Sequence, residues 1–102
     1  MAPAARAVLL AWLIGFAAPG IAGPITDLQL LAGRCFETPG TSTCGSFFDL
    51  SDRLKQQAER RSQLRCYTSL LTLEAVASKA LRGIQEPARQ AQALQETAGD
   101  CP

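Results

Sequence analysis

The 102-residue chain contains no histidine and no asparagine, and it has only two lysines. Without imidazole there is no histidine metal ligand, no histidine general base and no Ser-His or Cys-His nucleophile pair. Without asparagine there is no N-linked glycan. The four cysteines, Cys35, Cys44, Cys66 and Cys101, stand 9, 22 and 35 positions apart, so no Cys-x-x-Cys pair is present to frame a zinc site. No glycine-rich phosphate loop occurs either.

Excess charge is missing too. With Arg6 of the leading segment set aside, nine basic side chains face nine acidic ones. A domain this neutral carries neither the footprint of a nucleic-acid binder nor a polybasic patch for anionic lipid. Arg60, Arg61 and Arg65, flanked by Glu59, read as a solvated helix face.

What is present begins with an export signal. Arg6 precedes an apolar stretch from Ala7 to Ala18, followed by Pro19-Gly20-Ile21-Ala22-Gly23, and cleavage after Ala22 leaves small residues at both positions of the cut. The apolar stretch meets Pro19 and Gly20 before reaching the roughly 17 to 25 residues a membrane span requires. Residues 1–22 are therefore assigned as a secretory signal peptide and 23–102 as one small helical, disulfide-containing domain. The destination is extracellular, or periplasmic in a bacterium.

A core of about 80 residues is marginal without staples. An even cysteine count in a short exported chain supplies them. The expected fold is all-α, a disulfide-stapled domain of three to four short helices with a C-terminal antiparallel helical hairpin.

Apolar spacing of three and four at Ile25, Leu28, Ala32 and Cys35 predicts a first helix, with Pro24 in its first turn and its C-terminus fraying at Gly33. Glu37 to Thr43, containing Pro39-Gly40, reads as an exposed loop whose hydroxyl residues are candidate O-glycan acceptors. Ser46 and Asp49 resemble a capping box that opens a second helix. Its stripe of Phe47, Leu50, Leu54 and Ala58 is displaced by about one residue from the next stripe, Cys66, Leu70, Leu73, Ala77, Leu81 and Ile84. Such an offset turns the face by about 100 degrees and predicts a break near Arg61.

Leu64, Tyr67, Leu71 and Ala75 widen the apolar arc of the third helix, which is expected to be central with two neighbours. Gly83 to Pro87 forms a stop and restart. Ala88, Ala91, Leu94, Ala98 and Cys101 are expected to face inward on the last helix.

In an antiparallel hairpin, residues equidistant from the turn meet. Cys66 and Cys101 are centred on position 83.5, within the Gly83 to Pro87 turn, about 26 Å along each arm. The expected disulfides are thus Cys66-Cys101 and Cys35-Cys44. In the chain-entropy picture, closing loops of 36 and ten residues contributes up to about 3.8 and 2.7 kcal/mol.

For function, an enzyme is not expected. Ser78 and Lys79 are adjacent and project about 100 degrees apart, while Asp49 and Asp52 read as first-turn residues favoured by the helix dipole. No cofactor and no metal site is expected. The layout resembles small cytokines in outline, although the chain is short for four long helices.

The favoured expectation is a secreted protein-interaction module, a ligand, regulator or partner subunit, binding an extracellular or cell-surface protein through a helix face. Phe47 and Phe48 are the candidate contacts, because adjacent helical residues cannot both point into one narrow core. The alternative is a small carrier of lipid or apolar ligand, suggested by Leu70, Leu71, Leu73 and Val76. A homodimer or a partner-dependent subunit is the third arrangement considered.

Overall fold

The computed structural model describes residues 23–102, so the expected signal segment and its cleavage site lie outside the described residues. Four helices follow one another: α1 at 23–37, α2 at Thr41–Arg60, α3 at Leu64–Leu81 and α4 at Pro87–Asp100. There is no strand among the described residues.

Each connection is short and reverses the chain. Residues 38–40 join α1 to α2, and the Cys35-Cys44 disulfide holds their ends with the two Cα atoms 4.6 Å apart. The expected loop from Glu37 to Thr43 is thus reduced to three residues. The first helix runs through Gly33 without fraying, and the second starts at Thr41, five residues before the expected capping box. Local bonding explains this earlier start. The Thr43 hydroxyl is within bonding distance of the carbonyls of Thr38 and Gly40, and the Cys44 N–H donates to the Gly40 carbonyl at 2.9 Å. These bonds and the disulfide wind the hydroxyl-rich stretch into helix, which local propensity alone would not.

The expected break near Arg61 is present. Ser62 takes a positive φ of 55°, its N–H reaches the Glu59 carbonyl and the Gln63 N–H reaches that of Ala58, so the last carbonyls of α2 are satisfied. The α3 end repeats the device with glycine. Gly83 has φ 85°, its N–H bonds Ala80, and the Ile84 N–H bonds Lys79. Pro87 then opens α4, where its missing N–H costs nothing.

Helix α3 packs against α2 on one side and α4 on the other, as a central helix should. Helix α1 lies beside α4, since Gln29 Nε2 donates to the Leu94 carbonyl and Gln85 Nε2 to the Phe36 carbonyl. The result is an up-down-up-down bundle. The second disulfide, Cys66-Cys101, joins the first turn of α3 to the end of α4, again with Cα atoms 4.6 Å apart. Both expected pairings and the expected hairpin are therefore observed.

Leu28, Phe47, Leu70 and Leu73 are fully buried at the centre of the bundle. On α2 the inward position falls to Ser51, while Leu50 is only partly buried. Leu81, the last residue of α3, and Ile84, in the turn beyond it, are exposed. The expected stripe on α4 is also corrected. Gln90, Ala93, Thr97 and Cys101 face inward, Leu94 is half-buried, and Ala88, Ala91 and Ala98 are exposed.

The roll of α4 is set by the disulfide. Counting back from Cys101 by four, four and three residues reaches Thr97, Ala93 and Gln90, one face of a helix. The two polar residues on that face are satisfied. Thr97 donates to the Ala93 carbonyl at 2.8 Å, and Gln90 Nε2 donates to Gln85 Oε1 at 2.7 Å. Among the described residues no buried side-chain nitrogen or oxygen lacks a partner.

Candidate protein-interaction surface

The cysteines sit inside the frame. All four are buried and disulfide-bonded, so they act as clips and leave no free thiol.

The paired phenylalanines divide unequally. Phe47 is fully buried, and Phe48 is half-buried against it, edge to face with ring centroids 5.1 Å apart. The second ring extends the core edge and leaves only part of its surface for contact.

The early start of α2 also moves Asp49 and Asp52 out of the first turn and into the helix interior. Asp52 pairs with Lys55 at 3.1 Å, and Lys55 reaches Glu74 of α3 at 2.9 Å, while Ser51 donates to the other Glu74 oxygen at 2.6 Å. The Glu74 hydrogen bond, helped by Asp52, holds the Lys55 ammonium above its usual pKa. This network buttresses the α2–α3 seam. Lys79, weighed with Ser78 as a dyad, instead pairs with Glu86 across the α3–α4 turn at 3.0 Å, and that bond lowers the Glu86 carboxyl below its usual range. Among the described residues no three potential metal-donor side chains converge.

The residues that remain open to contact are aliphatic. Leu64 is 77% exposed at the start of α3, and Leu71, one heptad along the same face, is 43% exposed. Tyr67 lies half-buried between them. Ala58 and Glu59 from the end of α2, with Ser62 and Gln63 from the turn, complete an open cleft of about 500 Å³ beside Leu64 and Tyr67. Its floor is apolar and its rim polar. The cleft lies at the α2–α3 turn, where Ser62 takes its positive φ and Leu64 opens α3.

A second open groove, of about 700 Å³, runs between α1 and α2. Leu30, 59% exposed, lines it with Leu31 and Leu50, and Asp27, Arg34, Asp49 and Arg53 stand around them.

Leu64, Tyr67 and Leu71 were visible in the sequence as the widened arc of α3, although there they pointed to burial. Leu30 was missed. Its signal was the crowding of Leu28, Leu30 and Leu31 into four residues, which one helix face cannot bury together. Neither family models, curated proteins nor solved structures yield a match to the chain.

Proposed function

We propose that the chain is an exported interaction module that binds another extracellular or cell-surface protein through the α3 face bearing Leu64, Tyr67 and Leu71. The observation that carries this reading is the exposure of Leu64 and Leu71 on either side of half-buried Tyr67, with Leu64 and Tyr67 lining an apolar cleft. Isolated surface leucines are ordinary, but a leucine-tyrosine-leucine row beside a cleft has the apolar centre and polar rim of a contact surface. Glu59, Ser62 and Gln63 supply the rim.

The partner's matching element is an aliphatic or aromatic side chain, presented on a helix or loop, that fills the cleft and covers Leu64. Two disulfides and an expected leader segment support an oxidising, exported setting. A prepaid rigid frame lowers the ordering cost of binding. The carrier alternative loses its motivating residues, since Leu70, Leu73 and Val76 fill the bundle core and only Leu71 is open.

The test is affinity capture with the oxidised domain beside its Leu64→Glu variant. A protein retained by the first and lost by the second, with thermal unfolding unchanged, supports the proposal. Identical retention by both would refute this face.

A further inference from the structure

We propose that Arg60-Arg61 is a processing site, at which an endopeptidase selective for paired basic residues converts the single chain into two disulfide-closed helical hairpins, residues 23–61 and 62–102, that stay paired.

In the sequence this pair reads as part of a solvated helix face, but the structure sets it astride a helix end. Arg60 is the last residue of α2, and Arg61 lies in the turn before α3. Of the nine basic residues between 23 and 102, only Arg61 and Arg82 stand outside the helices, and only Arg61 follows another basic residue. Both side chains of the pair are exposed, and among the described residues neither makes an ion pair within 4 Å. They are open to the acidic subsites of such an enzyme.

A protease takes its substrate in extended form, so the end of α2 has to unwind. From Glu59 to Ser62 every residue is exposed, and Ala58 is the last buried side chain of α2. Unwinding these four residues exchanges backbone hydrogen bonds for water and uncovers no core side chain, the condition under which a helix end opens locally. It also releases Ser62 from its positive φ.

The disulfides single out the same turn. Cys35-Cys44 spans the α1–α2 connection and Cys66-Cys101 spans the α3–α4 connection, so the α2–α3 turn is the one that neither spans. Hydrolysis adds water across the Arg61–Ser62 peptide bond, leaving a carboxylate on Arg61 and an amine on Ser62. No covalent link then joins the halves. They stay paired through the buried side chains of Phe47, Leu54 and Ala58 on α2, and through Ser51 and Lys55 bonding Glu74 on α3. A cut after Arg82 has a different result, because Cys66-Cys101 keeps its fragments joined.

Limited digestion of the oxidised domain by a paired-basic endopeptidase tests the proposal. One product should begin at Ser62, elute with its partner as a single species on native sizing, and separate from 23–61 in denaturant without reductant. Arg60→Gln, which breaks the pair but keeps Arg61, should be cut more than about tenfold more slowly with helical content unchanged, and Arg60→Lys should be cut like the wild type. A first cut after Arg82 or any other basic residue, or a native domain that resists digestion throughout, would overturn it. So would equal rates for wild type and Arg60→Gln, or halves that part on native sizing. None of these outcomes bears on capture through Leu64.

Discussion

Single polar side chains hold the seams of this bundle. Ser51 is fully buried and donates to Glu74, whose other oxygen binds Lys55. Removing that hydroxyl with Ser51→Ala leaves the carboxylate one partner short, and the expected cost is about 1 to 3 kcal/mol in denaturant unfolding. Glu86 makes a different kind of contribution. Its folded pKa is depressed by Lys79, so the stability it adds is present above the ordinary carboxylate range and is lost as pH falls through the folded value. Thermal unfolding of wild type and Glu86→Gln should therefore differ near neutrality and converge as the pH falls below the ordinary carboxylate range. A gap that persists or widens in acid would show that Glu86 acts through packing and not through charge.

At the scale of the elements, two helix ends use the same backbone turn with different residues. Ser62 adopts positive φ at a steric cost that glycine avoids, whereas Gly83 adopts it freely. Ser62→Gly should stabilise and Gly83→Ala destabilise, each by about 0.5 to 1 kcal/mol in denaturant unfolding. A Cβ at Gly83 would meet nothing within 4 Å, so any loss there reports conformation and not a clash.

The breaks themselves were legible, because a stripe offset and a Gly-Pro pair are local signals. Disulfide pairing was legible for a geometric reason, since antiparallel arms with a fixed rise bring equidistant cysteines together. The start of α2 was not. It depends on the Cys35-Cys44 clip and on Thr43 bonding back to Gly40, contacts that propensity does not contain. The inward face of α4 was hidden as well. Counting apolar residues selected Ala88, Ala91 and Ala98, while the disulfide turned Gln90 and Thr97 inward, where hydrogen bonds satisfy them. On the candidate site, the wide arc of α3 was readable, but its exposure follows from α3 having neighbours on only part of its circumference.

The whole molecule is a small four-helix frame whose two clips close loops of unequal length. Replacing Cys66 and Cys101 together by serine should destabilise more than replacing Cys35 and Cys44, up to about 3.8 against 2.7 kcal/mol in the chain-entropy picture. Equal losses would place the benefit in native packing and not in the unfolded chain. The proposed face depends on this frame. The cleft at Leu64 lies where α2 and α3 reverse at Ser62.

Non-reducing peptide mapping tests that frame most directly. Tryptic cleavage after Arg34 and Arg53 leaves Cys35 and Cys44 in one peptide, while Cys66 and Cys101 fall in peptides 66–79 and 90–102. The first peptide should run alone with an internal disulfide, and the other two should run joined until reduced. A disulfide between peptide 35–53 and either of the others would contradict this frame.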